Sequence, residues 1–395
     1  MAYERQDGLM RGLAGDVLVG TSGSVALVGT YPPTACGLAT FTSNLRIAIA
    51  TQQSAWDAKV VRIVDQWEPA PCPDVVEQWV IDEPASLRRV LDALATFDAV
   101  VLQHEYGLFG GPDGQDVLEL VDNLEVPLIA VLHTALQAPS FHQRSILDRI
   151  LAASTVAVVQ STAARERIVS VHGTDPDRVV VVPHGATENF SGPALERAPP
   201  PAVLTWGLLS PGKGIEHGIA ALARLGMRAP APSYIVAGQT HPKVRAAEGE
   251  RYRERLHAQA CSLGLTDRVV FDDEYRDWAS LRALVRGADV VLLPYESRDQ
   301  VSSGVLVEAV ASGKPVIATR FPHAEELLAG GAGLVVEQGD VDAMANALDR
   351  VLYEPGLAEQ MVAAARREAA PLLWPAVGAS YRALIDQVVG SRALA

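Results

Sequence analysis

Residues 288–319 read ADVVLLPYESRDQVSSGVLVEAVASGKPVIAT. A short apolar run, ADVVLL, leads through a polar loop into a helical stretch, and a second apolar run, PVIAT, follows. The spacing predicts a helix that starts near Ser302, a good N-cap, and ends at Gly313. Strand, helix and strand in that order make a parallel pair. The same rhythm recurs outward in both directions. Upstream in the second half lie AVLTWG (202–207), SYIVAG (233–238) and RVVF (268–271), and downstream lies GLVV (333–336). The first half carries SVALVG (24–29), KVVRIVD (59–65), AVVLQH (99–104), PLIAVLH (127–133), VAVVQ (156–160) and VVVVP (179–183). Most are followed by a Gly or Ser signal and an amphipathic stretch, the pattern of parallel α/β structure.

Between the two series, SGPALERAPPP (191–201) has no periodicity and ends in three prolines, which cannot pair inside a sheet. The expected organisation is an N-terminal Rossmann-like domain over 1–190, a linker over 191–201 and a second Rossmann-like domain over 202–370. A C-terminal helix over 371–395 is a candidate to cross back to the first domain. The fold class is α/β, two doubly wound domains facing across a cleft, with ligands expected beyond the carboxyl ends of the strands.

Composition narrows the function. The 395 residues are 49% hydrophobic and 20% charged, enough for two real cores, and no apolar run approaches a membrane span. Thirty-three Lys and Arg against 47 Asp and Glu give a net charge of −14, which repels nucleic acid and anionic lipid. Cys36, Cys72 and Cys261 are too few and scattered for a disulfide framework or a metal site. The N-terminus has no signal-peptide pattern, so the expectation is a cytoplasmic protein.

Gly304 falls in the first turn of the helix expected after Ser302, where free amides can receive a diphosphate, and Glu308 follows one turn later on the same face. A carboxylate there suits a ribose diol; an ordinary cap, a packing glycine and a dipole-favoured Glu would read the same. Lys213, between two glycines just past a strand end in WGLLSPGKGIEHGI, is placed for phosphate. His133 and His104 both close strands in the first half-cleft, and Glu105 stands beside His104. No Asp-x-Asp pair or ligand-spaced histidines imply a metal, and no G-x-G-x-x-G with a distal acid supports a dinucleotide site.

The run G-V-L-V-E-A-V-A-S-G-K-P from Gly304 to Pro315, followed by VIAT, resembles the signature of the retaining family-four glycosyltransferases of the GT-B fold. In that family a Glu, seven residues and a second Glu precede A-x-A-x-G-x-P-V. Glu308 matches the second acid, and Gln300 stands at the first. GTYPPTACGLATFTSNL resembles the family's Gly-rich loop, with Gly37 kept and Cys36 in place of a glycine. WGLLSPGKGIEHGI is similar to its phosphate loop, with Lys213 matching the Lys and Leu208 standing at the Arg position.

The resemblance, strongest to mannosyltransferases through QHEYG, LHTAL and VPHG, implies a role for each position. His133 is the cleft histidine, and His133, Lys213 and Gln300 carry the transfer. Gly37, Arg298, Ser303, Gly304, Val305 and Glu308 surround the nucleotide sugar together with Lys213. Thr40, His104, Glu105 and His184 line the acceptor side or the cleft.

The activity implied is retaining, metal-independent transfer of a mannosyl or glucosyl unit from GDP-mannose or a glucosyl nucleotide to a soluble acceptor. No separate cofactor is implied, and oligomeric state is not read from the sequence. A sugar-nucleotide epimerase or phosphorylase on the same scaffold, or a nucleotide binder that has lost turnover through Leu208 and Gln300, are the alternatives.

Overall fold

The structure, a computed structural model, describes residues 23–51, 56–70, 72–193, 201–226, 228–274 and 276–392. The first half runs β1 (Gly23–Gly29), α1 (Gly37–Ile49), β2 (Trp56–Val64), β3 (Val75–Val80), α2 (Pro84–Leu94), β4 (Ala99–His104), α3 (Val117–Asn123), β5 (Leu128–Leu132), α4 (Phe141–Ala153), β6 (Val156–Val159), α5 (Thr162–His172) and β7 (Val179–Val181). The second half opens with β8 (Ala202–Trp206), α6 (Ile215–Arg224), β9 (Ser233–Ala237), α7 (Pro242–Glu248), α8 (Arg251–Ser262), β10 (Val269–Asp272) and α9 (Trp278–Arg286). It continues through β11 (Val290–Leu293), α10 (Gly304–Ala311), β12 (Val316–Thr319), α11 (Pro322–Leu328), β13 (Gly333–Val336), α12 (Val341–Tyr353), α13 (Leu357–Ala369) and α14 (Trp374–Arg392).

The first sheet has the order β3-β2-β1-β4-β5-β6-β7 and the second β10-β9-β8-β11-β12-β13. Pairings on both sides of β1 and of β8 are parallel. These are the two doubly wound Rossmann-like domains read from the sequence. Strand order reverses between β1 and β4 and between β8 and β11, so each domain's crevice opens at the carboxyl ends of those strands. Strands buried on both faces explain the near-continuous Val and Ile runs: Val25, Ala26, Leu27 and Val28 are all fully buried, alternately facing two separate core layers. No helix among the described residues is long and apolar enough to cross a membrane.

Two expectations need correction. The strand β3 is absent from the sequence reading, because VVEQWV breaks its apolar run with Glu77 and Gln78; it lies at the sheet edge, where Val76 is exposed. The helix expected to start near Ser302 starts at Gly304 with Ser303 as its N-cap. Ser303 Oγ accepts from Leu306 N–H, whereas Ser302 Oγ donates to Gln160 of the first domain.

Just ahead of the expected linker the chain already lies on the second domain: Asn189 Nδ2 donates to Ser312 Oγ and to Arg282 O, both at 3.1 Å. Of that linker, residues 194–200 lie outside the described residues, as do 1–22 and 393–395. At the other end α14 packs on the first domain, inserting Trp374, Val377, Tyr381 and Ile385 among Val25, Leu45 and Ile49. Gly378 permits that crossing, since a Cβ there would lie 2.5 Å from Ala48 O.

Candidate functional site

The second-domain wall is built from loops leaving β8 and β11. Gly214, at φ 63°, is required where they meet, because a Cβ would lie 1.8 Å from Pro294 O. Glu296 N–H donates to Gly212 O at 2.9 Å and closes the pair of loops. Between them lies a cavity of about 400 Å³ whose lining includes Gly212, Lys213, Tyr295, Glu296, Ser297 and Gln300. The Lys213 ammonium sits 4.1 Å from the centre of the Tyr295 ring, which steers it without neutralising it. Leu208 is half-buried and brings no charge, and Arg298 is exposed and not part of this lining. A larger cavity, about 780 Å³, lies at the amino ends of β8, β11 and β12 beside Asp289, Lys314 and Arg366. None of the candidate site residues read from the sequence lines it.

At the start of α10 Ser303 N–H donates to His323 Nδ1 at 2.8 Å. The amides of Gly304 and Val305 make no hydrogen bond among the described residues, so the helix keeps free donors and its positive end toward the cleft. Gly304 is also needed for packing, because a Cβ there would lie 2.9 Å from His184 Nε2. One turn further Glu308 is held in a poorly hydrated position. Burial pushes its carboxyl up to about 8, against the lowering pull of Arg282 and of a hydrogen bond from Thr187 N–H.

On the first-domain wall, Cys36 caps α1, its thiol accepting from Ala39 N–H at 3.3 Å. Gly37 faces open space, and Thr40 is half-buried one turn on. His133 follows β5. Its Nε2 lies 2.7 Å from Gln103 Oε1 and its Nδ1 3.1 Å from Gln160 Nε2, with the Phe41 ring edge-on. Burial, with smaller contributions from His184 and His104, lowers its pKa to about 3. His184 and His323 are likewise lowered by burial, to about 4 and about 3. The imidazoles of this cleft are neutral at ordinary pH. Glu105 accepts from the Thr134 hydroxyl and from Tyr106 N–H; burial raises its pKa, opposed by those bonds and by Lys243 of the second domain.

His104 does not reach the cleft. Its side chain points into the core on the opposite face of the strand from Gln103, fully buried, with ring contacts to Tyr106 and Phe109. Neither ring nitrogen has a hydrogen-bond partner among the described residues, and burial lowers its pKa to about 4. Gln103, one residue earlier, is the one that touches His133.

The two walls are joined by contacts the sequence reading missed. Ser161 Oγ donates to Val301 O at 2.6 Å, Arg167 Nη1 to Asp299 O at 2.8 Å, and Ser302 Oγ to Gln160 Oε1. Glu326 accepts from Thr162 N–H and Ala163 N–H at 2.9 and 3.2 Å, capping α5 from the other domain. Gln160 and Ser161 directly follow the VAVV run, and His323 sits at the start of α11 just after VIAT; those strand-end positions were the available signal.

The family described as "Glycosyl transferases group 1" matches residues 187–368. The chain is 28% identical over 239 residues to a D-inositol 3-phosphate glycosyltransferase of Stackebrandtia nassauensis, covering 58% of this chain and 53% of that protein. It is 31% identical over 238 residues to a GDP-mannose-dependent alpha-(1-6)-phosphatidylinositol monomannoside mannosyltransferase of Mycolicibacterium smegmatis, covering 56% and 59%. The match thus spans little more than half the length of these curated relatives. Among solved structures, sucrose-phosphate synthase from Thermosynechococcus elongatus superposes with a TM-score of 0.74 at 20% identity, over 93% of this chain and 99% of that one. With the signature run of α10 inside it, the segment 187–368 matches the group 1 glycosyltransferases, and the two-domain fold shared along the chain with its structural neighbours is the GT-B fold.

Proposed function

We propose that the protein transfers a hexosyl unit, mannosyl or glucosyl, from a nucleotide sugar to a hydroxyl of a soluble acceptor in the cytoplasm, with retention of configuration and without a metal. The donor is GDP-mannose or a glucosyl nucleotide; the name of the M. smegmatis relative favours the first. The observation that supports this reading is one arrangement: Lys213 and Gln300 line one cavity, and the loop that carries Gln300 runs directly into α10, whose Gly304 and Val305 amides are free and whose Glu308 follows one turn later.

The chemistry follows from where charge develops. As the glycosidic bond breaks, the anomeric carbon becomes oxocarbenium-like and the leaving diphosphate gains negative charge, which Lys213 and the α10 amides stabilise more than they stabilise the ground state. Glu308 holds the ribose diol. Gln300 contacts the sugar hydroxyls with an amide where the family's acid would bring a charge. His133, neutral and held at both nitrogens, orients the sugar and takes no proton. The attacking hydroxyl approaches on the face the diphosphate leaves, and a departing phosphate oxygen accepts its proton.

Thermal shift against a panel of nucleotides and nucleotide sugars selects the donor, since a ligand of the native state raises Tm. Proton NMR of fresh product from an α-linked donor is then expected to show an α-linkage, with the rate unchanged by EDTA. A β-linked product would overturn the mechanism. Nucleotide binding with no transfer to any acceptor would favour the binder that has lost turnover.

A further inference from the structure

We propose that Gln160 is a positioning residue for this transfer: it fixes which nitrogen of His133 carries the proton and couples that imidazole to the loop that carries Gln300. The inference rests on the proposed activity but is carried by a hydrogen-bonded chain that crosses the cleft. From the first-domain core outward it runs Gln103 Oε1, His133 Nε2, His133 Nδ1, Gln160 Nε2, Gln160 Oε1 and Ser302 Oγ, with His133 contacts of 2.7 and 3.1 Å.

A neutral imidazole has one N–H, so the order of donors along the chain is fixed once one link is fixed. Ser302 Oγ donates to Gln160 Oε1, which leaves the Gln160 amide N–H to donate to His133 Nδ1. The proton of His133 is then on Nε2, donated to Gln103. Reversing both amides would put it on Nδ1, so the structure makes a definite choice that can be measured.

The far end of the chain matters because of its neighbours. Residues 299 to 302 are held from the first domain at three points: Asp299 O by Arg167, Val301 O by Ser161 and Ser302 Oγ by Gln160. Gln300 lies between the first two and lines the donor cavity with Lys213. The corner between β6 and α5 therefore sets the position of Gln300, and Gln160 alone in that corner also touches His133. Domain closure, the direction of His133 and the placing of Gln300 are tied together through one side chain.

The test uses the full-length protein labelled with nitrogen-15 at histidine, together with transfer kinetics. The parent is expected to show His133 with Nδ1 unprotonated and Nε2 protonated. Gln160→Leu should redistribute that tautomer and lower kcat by roughly 10- to 100-fold through misplacement, while affinity for free nucleoside diphosphate stays within about twofold, because the α10 amides and Lys213 are untouched. Gln160→Glu sets a carboxylate against Nδ1, where it favours an imidazolium. The other titratable groups acting on His133 are His184 and His104, both neutral, so what the new carboxylate must overcome is chiefly the burial that lowers the pKa of the imidazole. That variant should acquire a rising limb in its pH–rate profile at weakly acidic pH that the parent lacks. Ser302→Ala, which cuts the link to the second domain and releases the Gln160 amide, should lower kcat and shift the His133 tautomer in the same direction as Gln160→Leu. It remains informative if Gln160→Leu does not fold.

A proton on Nδ1 in the parent overturns the proposal, as does an unmoved His133 spectrum or an unchanged kcat in Gln160→Leu. Loss of nucleotide affinity in step with kcat overturns it too, because it would mark a merely structural role. Failure of the proposed activity is seen differently, as no sugar transfer by the parent itself, in which case the His133 spectra of parent and variants alone decide.

Discussion

Changing Glu308 to Gln should abolish a pH dependence of nucleotide binding that the parent shows between pH 6 and 8. The free carboxyl is pushed up to about 8 by burial. A ribose diol offers two O–H donors; an ionised carboxylate accepts both, whereas a protonated one spends an oxygen on its own proton. Binding therefore drives Glu308 to ionise. One pH unit below the pKa that ionisation costs about 1.4 kcal/mol, and at pH 6 about 2.7 kcal/mol. Hydrogen bonds to a charged group contribute about 1.5–3 kcal/mol each, so the ionised complex still wins. The dissociation constant should fall nearly tenfold per pH unit on approaching pH 8 and level off above it. Phosphate groups titrate near pH 6, so the slope measured for the Glu308→Gln variant is the baseline to subtract. Calorimetry in two buffers of different ionisation enthalpy should find nearly one proton released at pH 7 by the parent and none from this position in the variant. Equal slopes and equal proton release in the two proteins would refute the reasoning.

The same carboxyl makes a stability prediction of fixed sign. Its folded pKa lies above the unfolded value of 4.5, so the folded state binds the extra proton between pH 4.5 and 8 and loses stability as pH rises through that window. At pH 7 the penalty approaches about 3 kcal/mol. Glu308→Gln should therefore raise Tm without nucleotide at pH 7 while weakening nucleotide binding at pH 8, a combination that a merely damaging substitution would not give.

Lys213→Ala should weaken nucleoside diphosphate binding by about 1.5–3 kcal/mol and leave the nucleoside alone almost unaffected, as titration calorimetry with the two ligands would show. Leu208→Arg should strengthen diphosphate binding and steepen its salt dependence, since it adds a cation beside a site where Lys213 is the one lining cation among the described residues; equal affinities at low salt would count against that geometry. His104 and His323 are buried neutral, with pKa values of about 4 and about 3 against 6.5 unfolded. The unfolded state then binds more protons below pH 6.5, and each group should remove about 2 kcal/mol of stability by pH 5, visible as a steep fall in the urea midpoint.

The sequence made the strands legible wherever burial on both faces wrote Val and Ile continuously, as in Val25 to Val28 or Val290 to Leu293. It left β3 unread because an edge strand need not be apolar on every residue. Lys213, Gly304 and Glu308 could be singled out because each stands at or within a turn of a strand end or helix start whose neighbours in sequence are also its neighbours in space. His104 reads as a cleft residue only because a strand end alone does not say which face a side chain takes. The chain from Gln103 to Ser302 was not readable at all, since Gln160 and Ser302 stand 142 positions apart and neither is of an unusual residue type. Contacts between domains leave no local period in the sequence.

Charge is scarce where the donor is proposed to sit, and that scarcity bears on how the diphosphate is held. Arg62 is spent on Tyr31 O, Glu68 and Thr34, and Arg167 on Ala135 O and Asp299. His133, His184 and His323 are uncharged. The whole chain carries a net charge of −14, so no long-range field draws an anion in. Among the described residues that line the cavity, what remains is one ammonium, Lys213, and, just past Gln300 along the chain, the positive end of α10, fixed dipoles that are already aligned before the ligand arrives. Such donors need no reorganisation when charge grows on the leaving group, but they act only at hydrogen-bond range. The contacts by which Ser161 and Arg167 hold Val301 and Asp299 just ahead of α10 therefore bear on the anion site, because those residues lead directly into the amides that would meet the diphosphate, whereas the link from Gln160 to the Ser302 side chain bears on His133 and Gln300.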